Sequence, residues 1–230
     1  MKSKMMKMLV AALALASFGL MGCEPSKDAE GPVSITVTDA DGNKYPTMKI
    51  GQQIWMAKNL NVDVSGSMCY DNKPENCEKY GRLYTWEAAM NACPGGWHLP
   101  GKEETELFKE TVMVRVDQIV TQKKLNAEPL ERGEDKWVNH LRDVSWKGGL
   151  NTFGFSALPA GYLNSPIRDL DGIARFYYLG SIFRFWTSTV VTTAAQEDTG
   201  SAYYLEFSNR STGISVKEKD YAFSVRCLRD

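Results

Sequence analysis

Apolar and polar residues alternate with a period of two near both ends of the domain, and follow a helical period only between those ends. Residues 33–38 (VSITVT) are β-branched and alternating, which predicts a strand. The run Asp39-Ala40-Asp41-Gly42-Asn43 carries an Asp-Gly turn signal. Residues 45–50 return as a second strand, Gly51 turns the chain, and residues 54–58 (IWMAK) form a third, completing an antiparallel meander. A short helix is predicted over 86–92, with Thr85 as N-cap and Pro94-Gly95-Gly96 as its stop. Pro100-Gly101 opens a second helix over 102–114, with Glu103 and Glu104 where the helix dipole favours acids. The polar stretch 115–135 gives no firm assignment, and continuation of that helix is one reading of it. Residues 146–162 (WKGGLNTFGFSALPAGY) are too glycine-rich for a helix and predict irregular chain around packed aromatics. Strands follow at 176–179, 182–187, 202–207, 213–216 and 223–228. The order predicts an α+β fold: antiparallel sheets, two helices and a long irregular loop region.

The first 32 residues break this pattern. Lys2, Lys4 and Lys7 precede an apolar run, MLVAALALASFGLM, at 8–21. A bilayer span needs about 20 apolar residues, so the run fits a secretory signal. It ends in Leu20-Met21-Gly22-Cys23, which resembles the lipobox of bacterial lipoproteins. That resemblance implies cleavage before Cys23 and a lipid on Cys23. Residues 24–32 (EPSKDAEGP) are polar and turn-rich, as in a tether. The expected organisation is a signal peptide at 1–22, a lipidated tether at 23–32 and one domain at 33–230. Glu24, rather than Asp, and the early acids Glu24, Asp28 and Glu30 fit export outward. The expected location is the cell envelope, as an outer-membrane lipoprotein on either face, touching the membrane through its lipid only.

The formal charge of −1 becomes −4 once the three signal lysines are removed, leaving 24 basic against 28 acidic residues. There is no basic excess to neutralise phosphates, which argues against a nucleic-acid partner. With Cys23 set aside, Cys69, Cys77, Cys93 and Cys227 remain. An even count in an exported chain predicts two disulfides, with three pairings possible. Cys69 and Cys77 bracket a short loop, YDNKPEN, that closes easily, leaving Cys93 for Cys227.

The segments Trp86-Glu87-Ala88-Ala89, Cys93, Gly96-Trp97-His98-Leu99-Pro100 and Glu103-Glu104 resemble the two-helix half of the C-type lectin-like fold. In that fold a cysteine near the end of the first helix pairs with one in the last strand, which implies Cys93 with Cys227. More closely, the chain resembles the Fibrobacter succinogenes major paralogous domain, found in surface and exported bacterial proteins. The matching pieces are DADGNKYPTMKIGQQIWMAKNLN, CYDNKPENCEKYGRLYTWEAA, ACPGGWHLPGKEE, GFSALPAGY, FWTST, AYYLEF and SVRCLRD. The stretch 111–136 departs from the pattern. The resemblance implies a fold and an exported setting; the family has no defined activity to carry over.

Candidate chemistry is sparse. Cys93 and His98 sit five residues apart, but a cysteine nucleophile needs a free thiolate, and a disulfide would consume it. Cys69, Cys77, Cys93 and His98 lack zinc-site spacing, so no metal or other cofactor is expected. Formylglycine-generating, sulfatase-modifying enzymes have a related fold, and the resemblance makes them the enzyme alternative. They rely on a close cysteine pair late in the chain, where this sequence has only Cys227. Calcium–sugar motifs are missing their ligands: Glu128-Pro129-Leu130 and Trp186-Thr187-Ser188-Thr189 supply too few oxygens. Asp169 and Asp171 are loop carboxylates that fit a solvated turn. Aromatic rings can hold sugars without metal by stacking on their apolar faces. The ligand-binding candidates are Trp137, Trp146, Tyr162, Tyr177 and Tyr178, with Arg168 and Arg184 beside them, while Trp55, Trp86, Trp97 and Trp186 are expected in the core. The expected function is a non-catalytic binding or adhesion module for a glycan, cell-wall polymer or surface protein. A surface scaffold without a small ligand is the third possibility.

Overall fold

A computed structural model describes residues 31–165, 173–208 and 211–230. Its elements in chain order are β1 (Gly31–Thr38), β2 (Lys44–Ile50), β3 (Gln53–Met56), β4 (Ser67–Met68), α1 (Pro74–Tyr80), β5 (Leu83–Tyr84), α2 (Trp86–Met90), β6 (Trp97–His98) and α3 (Lys102–Leu125). The rest are β7 (Tyr162–Leu163), β8 (Phe176–Tyr177), β9 (Ile182–Thr192), β10 (Asp198–Ser208), β11 (Thr212–Glu218) and β12 (Leu228–Arg229). The fold is α+β, with antiparallel sheets and two disulfides, Cys69–Cys77 and Cys93–Cys227.

One sheet has the order β1-β2-β3-β12-β6, so strands from both ends of the domain share it; the second is the meander β11-β10-β9. β9 and β10 divide the core. Phe183, Phe185, Leu205 and Phe207 pack on one side with Trp55, Phe155 and the buried stripe of α3. Trp186, Ala202 and Tyr204 pack on the other with Met56, Leu60, Tyr84 and Phe223. Both faces of these strands are covered, so apolar residues fill consecutive positions such as Phe185-Trp186 rather than strictly alternating.

Three helices form among the described residues, not the two expected. The third, α1, begins within the cysteine-bracketed segment predicted as a loop and runs past Cys77 to Tyr80. Pro74 at its first turn fixes φ and gives up an N–H that no helix residue would use, so a turn-rich sequence starts a helix. α3 runs to Leu125, well past the predicted end at 114. Thr105, Phe108, Val112, Val116 and Val120 are buried at spacings of three and four, which carries the helical period through the stretch left open.

Residues 223–228 are not the predicted strand. Tyr221 to Leu228 are all buried, but their backbone partners change along the segment. Phe223 exchanges bonds with Tyr84, Ser224 with Arg184 and Trp186, Val225 accepts from Leu60 and Cys227 from Met56. An extended chain that threads between two sheets in this way forms bridges, not a ladder. Arg226 locks it in place. Its guanidinium, fully buried, donates to Asn59 Oδ1 (2.7 Å) and to the carbonyls of Met56 (3.0 Å), Phe155 (2.6 Å) and Ser156 (2.9 Å). Burial pulls its pKa down to about 9, so it remains a cation at neutral pH.

Candidate functional site

Cys93 is bonded to Cys227 and is no nucleophile here. His98 lies on β6, opposite Leu228 of β12, and is more than a packed turn residue. Its Nδ1 is 2.6 Å from Asp230 Oδ1, and its Nε2 is 3.1 Å from Glu104 Oε1. Burial pulls the imidazole pKa down, but the bonds to Asp230 and Glu104 outweigh it and leave the pKa above the ordinary value. The other histidine, His140, is buried and faces Thr152 Oγ1 and the Glu134 carbonyl.

The seven predicted ligand residues separate into groups. Arg168 lies outside the described residues, as do Asp169, Asp171 and Cys23. Trp146 is 4% exposed, and the Arg142 guanidinium lies 4.4 Å from its ring centroid, so it is a core residue and not an open stacking face. Trp137 is half-buried, edge-on to Phe207 at 5.7 Å. Tyr162, Tyr177, Tyr178 and Arg184 come together.

Their meeting point is the ribbon β7–β8, in which Tyr162 is directly opposite Tyr177. Gly161 makes the approach possible. It adopts φ +67°, and a Cβ there would lie 2.4 Å from the Tyr177 carbonyl oxygen. Tyr178 has φ +61°, a left-handed conformation unusual for an aromatic residue. Its carbonyl accepts from Ser181 and Ile182, which turns the chain into β9. The ring centroids are 5.8 Å (Tyr162–Tyr177), 5.9 Å (Tyr162–Tyr178) and 6.0 Å (Tyr177–Tyr178) apart, with planes inclined by 33–35°. Tyr178 is 55% exposed, Tyr177 is half-buried, and Tyr162 sits edge-on over Phe223.

Arg184 anchors the platform from below. It lies opposite Glu206 in the β9–β10 ladder and binds it through Nε (2.7 Å) and Nη2 (2.6 Å). Its guanidinium carbon is 4.1 Å from the Tyr162 ring centroid, a cation–π stack. Burial pushes the Tyr162 phenol up in pKa, and the Arg184 charge offsets only part of that. Arg184 therefore positions a ring, and its side chain is only 12% exposed. The sequence reading missed Glu206 and Tyr221, whose ring is 6.3 Å from Tyr162. Glu206 was signalled by its place inside the apolar strand YYLEF, where a lone acid calls for a partner. The assembly offers tilted aromatic faces and phenol hydroxyls, held in place by a nearly buried guanidinium–carboxylate pair: an arrangement suited to stacking and hydrogen bonding.

A search of curated proteins and a search of solved structures each return no match. A family model does match, over residues 48–229, covering β3 to β12 and every residue of the platform. The chain belongs to the Fibrobacter succinogenes major domain family.

Proposed function

We propose that the protein is an exported, lipid-anchored binding module without catalytic activity, and that it holds a glycan or cell-wall polymer on the Tyr162–Tyr177–Tyr178 platform. The grouping of these rings, with Tyr178 projecting into solvent, carries the proposal. Sugar rings present apolar C–H faces that stack on such aromatics, and the phenols supply hydrogen bonds to ring hydroxyls. A left-handed tyrosine costs about 1–3 kcal/mol of backbone strain, and strained residues cluster at binding sites. A C-type lectin-like arrangement is part of the proposal. It is supported by the Cys93–Cys227 bond, which joins the region after α2 to the end of the chain, and by the sheet that unites strands from both ends of the domain. The signal-like residues 1–22 and Cys23 support anchoring in the cell envelope, as an outer-membrane lipoprotein.

Retention of the purified mature chain on insoluble polysaccharides, cell-wall fractions and glycan arrays tests this. Tyr178→Gly removes the exposed ring while suiting the positive φ, so thermal stability is held or raised. Its binding should weaken about tenfold, or ~1.4 kcal/mol. Retention on no glycan or envelope polymer would refute the carbohydrate proposal. Retention that Tyr178→Gly leaves unchanged would remove the platform from it.

A further inference from the structure

A second site lies away from the tyrosines. A cleft of about 630 Å³ opens between the loop after α3, the 3-10 turn Trp137–His140, the bend at Lys147 and the adjoining ends of β10 and β11. Its described walls carry Arg132, Lys136, Arg142 and Lys147, and no acidic side chain. Arg132, Lys136 and Lys147 are exposed, and none of the four forms an ion pair among the described residues.

Arg142 is the unusual member. It is 5% exposed, yet it lines the cleft. Nη1 donates to Asn139 Oδ1 (3.2 Å) and Nη2 to the Ser208 carbonyl (2.9 Å), while Nε has no partner. Only two of the five N–H donors of a guanidinium are therefore used. The guanidinium carbon lies 4.4 Å from the Trp146 ring centroid, a cation–π contact that helps to hold the group in place. Burial lowers its pKa, the direction for a cation taken from water without a counter-charge. Arg226 shows the contrast: a buried arginine with a purely structural role, whose donors meet four acceptors. Arg142 is nearly as buried but has half the acceptors, and it lines an open cleft with three more cations.

We propose that this cleft binds an oxyanion, a carboxylate, sulfate or phosphate group, with Arg142 as the fixed donor and Lys136, Lys147 and Arg132 supplying attraction. A planar fork of donors suits two-oxygen acceptors, and a buried, pre-oriented fork loses little freedom on binding. The ligand is either a free small oxyanion or an acidic sugar unit of a polymer.

Calorimetric titration of the disulfide-intact mature chain with sodium phosphate, sodium sulfate and trigalacturonate, against sodium chloride at matched ionic strength, decides the matter. Saturable binding beyond the chloride control is expected. It should weaken at least about tenfold in a Lys136→Glu/Lys147→Glu variant, since each reversal replaces an attraction by a repulsion near the same group. Both positions are exposed, so the variant should melt with the wild type in the absence of oxyanion; Arg142→Met tests the donor directly where it folds. Tighter binding of trigalacturonate identifies a polymer-borne carboxylate, and preference for the inorganic ions identifies a free oxyanion. Tyr178→Gly should leave these affinities unchanged, which separates this site from the platform. A response no larger than chloride gives, or equal affinity in the charge-reversed variant, would overturn the proposal.

Discussion

His98 is held between two carboxylates, Asp230 on one ring nitrogen and Glu104 on the other. Its pKa is raised above the ordinary value, so the folded state binds the proton more tightly than the unfolded chain does. The resulting stabilisation is complete below the unfolded pKa of about 6.5 and is lost as pH rises through the folded value. The melting temperature should therefore fall between pH 6 and 8.5 more steeply in the wild type than in His98→Gln. Parallel curves would show that the imidazole contributes no proton linkage. The sequence made this residue visible only as a histidine near a cysteine. Glu104 is only 6 residues on, across the turn into α3, but Asp230 is 132 residues away, a distance that no local pattern spans. The same limit hid Arg142, whose contact with Ser208 crosses 66 residues. Tyr162 was singled out at the end of the glycine-rich stretch 146–162, and Tyr177 and Tyr178 in the strand predicted at 176–179, but nothing local in the sequence showed that these rings would meet.

At the scale of elements, α3 shows where periodicity was readable and where it blurred. Its buried face follows Thr105, Phe108, Val112, Val116 and Val120. Leu107, Met113, Val114 and Leu125 are apolar too, but they point to solvent with 45–77% exposure, so the stripe loses contrast. Three of the buried positions are valines, whose β-branching lowers helix propensity and weakens the local signal further. Tertiary packing against the core supplies what propensity does not. Two substitutions on the same late turns separate the faces. Val120→Ala deletes two buried carbons and should cost about 1.5–2 kcal/mol in urea unfolding. Leu125→Ala, on a side chain 77% exposed, should stay within about 0.5 kcal/mol. Equal effects would mean that the last turns do not dock as described. The tyrosine ribbon has the opposite character. Its two paired positions are held by a glycine approach and a left-handed residue. The sequence placed the strand near 176 but had no means of pairing it with Tyr162.

Across the whole molecule, the ends of the domain meet in one sheet, with β12 between β3 and β6. The Cys93–Cys227 bond fastens that closure over a separation of 134 residues, whereas Cys69–Cys77 closes only 8. In the chain-entropy model the long bridge stabilises the fold by about 5 kcal/mol and the short one by about 2.5 kcal/mol. Cys227 is fully buried in the second core cluster, beside Val225 and Phe223. Its removal therefore also disturbs the segment that Arg226 pins between the sheets. The Cys93→Ala/Cys227→Ala variant should lose at least twice the unfolding free energy lost by Cys69→Ala/Cys77→Ala, measured by guanidinium unfolding with the other bond intact in each. It should also weaken ligand retention, because Tyr162 rests on Phe223 and Arg184 bonds the backbone of Ser224. The short bridge lies in α1 and the turn before it, and its loss should leave the rings in place. Equal losses of stability would show that the sheet is closed by packing alone. Equal losses of retention would place the binding surface elsewhere than on the platform that the closure supports.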